Sequence, residues 1–200
     1  STSAGRVVLA FMDEARAERL VESLPMDRLT SDTIVDRAQL RRKVADDFLE
    51  QLRGDDFVGV QTYARMVVGS QGLVRPGDDV EKNQMGEEYY PEALGGAIRN
   101  AAAVAGVPIY VTENGLSSTD DTRRLEYFRR ALHCVADVLK AGIDVRGYFC
   151  WSAMDNFEWV SGYGPKFGII AVDRETMART PKPSAYWLGD VARANRCRFG

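Results

Sequence analysis

Four short runs of apolar, β-branched or aromatic residues punctuate the chain: Arg6–Phe11, Phe57–Tyr63, Val107–Glu113 and Val145–Trp151. Each is close to continuously apolar rather than alternating, the pattern of strands covered on both faces in a parallel sheet. Between them the apolar period changes to that of a helix. Ile34, Val35, Ala38, Val44, Ala45, Phe48, Leu49 and Leu52 fall at helical spacings, and Gly54 supplies a stop. Pro91 opens a second helix carrying Leu94, Ala97, Ile98, Ala101 and Val104, and Gly106 ends it. In the third, Asp120 or Asp121 is the cap and Leu125, Phe128, Leu132, Val135 and Leu139 form one stripe before Gly142. A last helix is predicted near Ser184–Ala194, after the proline-rich hinge Thr180–Pro183.

The order is therefore strand and helix four times over, which predicts an α/β fold with a parallel sheet. Two connections, Ala64–Tyr90 and Ser152–Pro183, are much longer than the rest. Both follow the C-terminal ends of strands, where α/β sheets and barrels place their active sites. Length sharpens this picture. At 200 residues the chain falls short of the roughly 250 that a complete (β/α)8 barrel usually needs. It starts at Ser1 without an initiator methionine and runs almost at once into an apolar stretch, so it is expected to be entered partway.

Composition narrows the chemistry. The net charge of -3 gives no electrostatic reason to bind nucleic acid. The single histidine, His133, falls mid-helix and excludes histidine-rich metal sites. Three widely spaced cysteines form neither a CxxC pair nor a disulfide framework, which favours the cytoplasm. Cys150 reads as a small apolar strand residue, and the arginines at 123, 124, 129 and 130 as solvated helix faces. No segment is long and apolar enough to span a membrane, and no cofactor or metal is expected.

Three strand ends carry candidate chemistry. Glu113 closes an apolar run and precedes the turn signal Asn114-Gly115; position alone leaves a solvated loop-edge glutamate equally open. Trp151–Trp159 gathers indoles, Asn156, Asp155 and Glu158. Aromatic planes suit the C–H faces of sugars, and carboxylates suit their hydroxyls. An aromatic core cluster is the plainer alternative. Tyr63, with Gln61 on the same side of the strand, could hold a neighbouring carboxylate, or could be a core tyrosine. With no metal set and no phosphate loop, this inventory suits carboxylate-based glycoside hydrolysis.

The sequence resembles the C-terminal half of glycoside hydrolase family 1, the β-glucosidase family, about strands 5–8 of its (β/α)8 barrel. Val111–Gly115 matches the family's (I/V)TENG motif, Gly147–Trp159 its last strand and sugar-binding loop, and Asp56–Tyr63 its DF(I/V)GLNYY strand. Gly162-Tyr163, Phe167-Gly168, Val172-Asp173 and Arg179–Ser184 match its closing segment. Residues 1–200 would then be one half-barrel domain. The resemblance implies Glu113 as catalytic nucleophile and Tyr63 as its hydrogen-bond partner. It implies Trp151 as the floor under the sugar, Glu158 on O4 and O6, Trp159 on O3, and Phe167 lining the same subsite. Gln61 stands where the family usually has Asn, and Thr62 where it often has Tyr.

The implied activity is retaining hydrolysis of terminal β-D-glucosyl residues through a covalent glycosyl-enzyme. Glu158 opposes a 6-phosphorylated sugar by charge. The family's T-x-N-E-P acid/base motif does not occur in the sequence. The chain is therefore expected to be inactive alone and to pair with the N-terminal half of a barrel, or with itself through open sheet edges. A non-catalytic carbohydrate-binding or interaction half-barrel is the alternative.

Overall fold

The computed structural model describes residues 47–65, 67–69 and 72–197. In chain order these form α1 (Asp47–Glu50), β1 (Val58–Gln61), β2 (Val67–Gly69), β3 (Gly72–Val74), α2 (Ala93–Ala105), β4 (Ile109–Asn114) and α3 (Asp121–Lys140). They continue with β5 (Val145–Cys150), a 3-10 turn at Trp159–Ser161, β6 (Ile170–Val172), β7 (Arg179–Pro181) and α4 (Pro183–Ala194). The strand predicted at Arg6–Phe11, and most of the first helix, lie outside the described residues.

Strands β1, β4 and β5 are parallel and ordered β1-β4-β5, as the alternation of elements predicts. The helices follow from local chemistry. Gly106 ends α2 at φ 68°, a left-handed conformation that costs glycine little. Asp120 caps α3 by accepting from the Thr122 backbone N–H at 2.8 Å, satisfying one of the orphan amides of the first turn.

Helices α2 and α3 cover one face of the sheet. Leu94, Ile98, Ile109, Val111, Phe128 and Val138 are completely buried there. Each such side chain contributes roughly 1.5–3 kcal/mol by leaving water. The α3 stripe differs from the predicted one at its end. Val138 is buried and Leu139 is 48% exposed, because the face followed from Tyr127 and Phe128 through Ala131 and Val135 reaches 138 first.

The other sheet face is not covered by any described residue, contrary to the expectation from the apolar runs. β1 alternates buried and exposed, and Phe57 and Phe149 are half exposed or more. Phe57 meets Tyr110 edge-on across that face at 5.1 Å. The two long connections each hold a small antiparallel hairpin, β2–β3 and β6–β7. Three-residue strands are too short for alternation to reveal them.

Candidate active site

The C-terminal ends of β1, β4 and β5 meet at one rim of the sheet. Gln61 is paired in register with Glu113, and the β1–β4 ladder is irregular just before it. The Thr62 amide continues the ladder to the Glu113 carbonyl at 3.1 Å. Glu113 itself is half-buried. The Tyr63 hydroxyl donates a short hydrogen bond to Glu113 Oε2. Burial first, then that bond and the charges of Glu113 and Glu158, push the Tyr63 phenol well above its ordinary value. Tyr63 therefore stays a neutral donor beside an acceptor carboxylate. Phe167, buried, sets the ring from its far side in an edge contact at 5.8 Å.

Strand β5 delivers Trp151. Its amide donates to the Asn114 carbonyl at 2.9 Å, and its peptide bond to Ser152 is cis. That close approach explains Gly115. A Cβ there would stand 1.9 Å from the Trp151 carbonyl oxygen, so no other residue fits without moving backbone. The Trp151 indole N–H donates to Glu158 Oε1 at 3.0 Å, and the Asn156 amide to the same oxygen at 2.6 Å. Glu158 is nearly buried yet partnered. Both bonds fall on one oxygen, leaving Oε2 for another donor.

Tyr63, Glu113, Trp151, Glu158 and Phe167 are thus linked by contact or charge. Gln61 is exposed at the end of β1. Trp159 is 78% exposed on its 3-10 turn, at φ 47°. Asp155, grouped with Glu158 in the sequence, is a structural anchor. Its carboxylate accepts from Lys182 Nζ at 3.1 and 3.2 Å and from the Gly168 amide at 2.9 Å. Lys182 also donates to the Gly168 carbonyl at 2.6 Å, and Arg174 donates to the Asp155 carbonyl. This clamp ties the Trp151–Glu158 loop to the hairpin β6–β7.

Two sequence readings are corrected here. Asn114, read as half of a turn signal, is the fully buried last residue of β4. Arg124 is not on a solvated face: it is fully buried, bonded to Asp121 and to the carbonyls of Ser118 and Lys166, so it straps the β4–α3 loop to the long second connection. A charged side chain at helical spacing carries no mark of burial; only its partners make burial tolerable. His133 is half exposed, 3.4 Å from Asp137, and Cys150 packs against the core, both as expected. Among the described residues no cluster of His, Cys, Asp and Glu could hold a metal, and no helix is long and apolar enough to cross a membrane.

The family model for glycosyl hydrolase family 1 matches residues 37–197, well over half the chain. The chain belongs to this family. A second model, bacterial transcriptional regulator IclR C-terminal, matches residues 1–49, almost all outside the described residues. The chain is 57% identical to beta-glycosidase BGL167, whose crystal structure it fits with a TM-score of 0.75 over 82% of this chain and 39% of that one. It is 31% identical to beta-glucosidase A of Thermotoga maritima, over 80% of this chain and 39% of that protein. It is 41% identical to a 6-phospho-beta-galactosidase of Streptococcus equi, over 57% of this chain and 26% of that protein. The chain thus spans about two-fifths or less of the length of these relatives. Its fold is accordingly part of the family's (β/α)8 barrel; Glu113 and Trp151 lie at the C-terminal ends of its strands, and Glu158 on the loop that follows β5.

Proposed function

We propose that the chain carries the nucleophile side of a retaining β-glycosidase site for terminal non-reducing β-D-glucosyl residues. The observation that carries this reading is the hydrogen bond from Tyr63 to Glu113 Oε2. It holds the carboxylate in place at the strand mouth and leaves Oε1 to attack. Glu113 forms a bond to the anomeric carbon as the glycosidic oxygen leaves with its electron pair, giving a glycosyl ester. Water later attacks the anomeric carbon, its proton passing to the second carboxyl group now acting as base, and the ester bond breaks to restore the Glu113 carboxylate. Trp151 forms the floor under the glycone. Glu158, oriented by Trp151 and Asn156, accepts from sugar hydroxyls through Oε2. Trp159, Gln61 and Phe167 complete the protein's share of the subsite.

Retaining hydrolysis needs a second carboxyl group about 5–5.5 Å from the first to protonate the leaving group. In this reading it comes from the part of a family barrel that the chain does not span, and residues 1–200 alone do not turn over glycosides. Glu158 also argues against a 6-phosphorylated glycone, since its anion would face the phosphate.

The test uses 2,4-dinitrophenyl 2-deoxy-2-fluoro-β-D-glucoside, whose leaving group needs no proton. The chain is incubated with it, alone and joined to the N-terminal barrel half of a family 1 relative. A fluoroglucosyl adduct on the Glu113 peptide, absent in Glu113→Gln, is expected in the joined protein. An adduct elsewhere, or none in a joined protein that folds, overturns the assignment. Hydrolysis of 4-nitrophenyl β-glucoside by the unjoined chain, lost in Glu113→Gln, would overturn the inactivity. Faster turnover of the 6-phosphate ester by the joined protein would overturn the choice of glycone.

A further inference from the structure

Asn114 lies next to Glu113 but points to the opposite side of β4, into the layer between sheet and helices. It is completely buried, and its amide is used on both ends. Nδ2 donates to the Thr62 carbonyl at 2.5 Å and to the Tyr127 hydroxyl at 2.9 Å. Oδ1 accepts from the Tyr148 hydroxyl at 2.7 Å. Tyr127 passes the bond on, donating to the Tyr63 carbonyl at 2.7 Å. One buried amide therefore grips two successive carbonyls of the segment after β1, the first directly and the second through a phenol of α3. The backbone of Asn114 meanwhile accepts from Trp151 at 2.9 Å.

The Thr62 amide is the last to continue the ladder, so the carbonyls of Thr62 and Tyr63 need other donors, and the backbone they fix is the base from which the Tyr63 ring reaches Glu113. We propose that Asn114 and Tyr127 are positioning residues that set the Tyr63–Glu113 hydrogen bond. Neither touches the open side of the sheet where Glu113 and Tyr63 meet. They act by fixing the backbone that carries Tyr63 relative to the residue beside Glu113. Tyr127 suits the relay because burial holds its phenol neutral, able to accept and donate together. That these residues matter for catalysis rests on the glycosidase reading; that they set the hydrogen bond does not.

The readout is therefore the bond and not turnover. Tyrosine labelled with 13C at Cζ reports the Tyr63 signal in the full 200-residue chain, assigned by its loss in Tyr63→Phe. The offset of that signal between the parent and Glu113→Gln measures the bond to the carboxylate. Tyr127→Phe keeps the ring and its packing and removes only the hydroxyl. It is expected to abolish more than half of the offset with the far-UV circular dichroism unchanged. Tyr148→Phe removes a buried hydrogen bond to the same amide without touching Tyr63, and is expected to keep most of the offset. A merely structural network predicts equal effects of the two variants. An unchanged offset in folded Tyr127→Phe, or an equal loss in Tyr148→Phe, overturns the proposal. Failure of the fluoroglucoside to label Glu113, with the offset behaving as described, would overturn the glycosidase reading and leave the positioning role standing.

Discussion

Asp155→Asn tests whether the loop carrying Glu158 is held by a buried ion pair. The Asp155 and Lys182 side chains are 6% and 16% exposed. The substitution removes the carboxylate bonded to Lys182 Nζ and replaces the acceptor of the Gly168 amide by a weaker or misoriented one. Removing one partner of a buried pair costs about 3–5 kcal/mol. Lys182 keeps the Gly168 carbonyl and some water, so the low end, about 3 kcal/mol, is expected. At 1.36 kcal/mol per tenfold this is roughly a 150-fold loss in the equilibrium that closes the loop.

Native-state hydrogen exchange reads it directly at the amides of Gly168, Ile169 and Ile170, which bond to Asp155, Ser152 and Ala153. The helical amides of α2 report the rest of the fold. The effect has a pH signature. Burial first, with the Arg124 charge, already holds the Lys182 ammonium below its ordinary 10.5, against the pull of Asp155. Without that carboxylate the folded value drops further. Between the folded value and 10.5 the unfolded state binds more protons, so stability of Asp155→Asn rises with pH in that window. The double change Asp155→Leu with Lys182→Met removes both charges and is expected to recover part of the protection at Ile169 and Ile170, though not at Gly168, whose amide loses its acceptor. A fall in protection of less than about threefold in Asp155→Asn refutes the clamp.

Three further expectations follow from the same contacts. Gly115→Ala drives a methyl group into the Trp151 carbonyl and should cost about 2 kcal/mol, read as a lower denaturation midpoint with altered tryptophan fluorescence; an unchanged midpoint contradicts the close approach. Tyr63 and Tyr127, whose phenols are raised chiefly by burial, contribute stability that is complete below the unfolded value near 10 and is lost as pH rises above it. Spectrophotometric titration of the folded chain should show both still protonated past pH 10.0, and a curve that loses an early-ionising tyrosine in Tyr63→Phe would disprove this. The half-exposed Phe57 and Phe149 on the open sheet face, with β1 and β5 as edges among the described residues, should make the chain self-associate. Sedimentation velocity should show this, reduced in Phe149→Glu, whereas a monodisperse parent monomer would argue against it.

Much of the site was readable because it sits at strand ends. Glu113 and Trp151 were found from where apolar runs stop, and Asp120 and Gly106 from cap chemistry that acts within a few residues. The Asn114 hub was not readable. Its partners Thr62, Tyr127 and Tyr148 lie 52, 13 and 34 residues away. Nothing in the sequence distinguishes such an amide from the turn that Asn-Gly usually signals. The Asp155–Lys182 clamp spans 27 residues and looked like one more carboxylate beside Glu158. The hairpins β2–β3 and β6–β7 were too short to show a period.

What the sequence determined by itself is local: the 3.6-residue stripes of α2 and α3, their caps, the apolar strands, and the motif residues at the strand mouths. Those signals are set by backbone hydrogen bonding and by which face leaves water, and both operate over one or two turns. Tertiary structure alone decided which polar side chains are buried and against what. It buried Arg124 and Asn114, exposed Trp159, paired Asp155 with Lys182, and left one face of the sheet open among the described residues. Burial of a polar group is tolerable only where partners from distant segments converge, and that convergence is a property of the packed chain and not of any stretch within it.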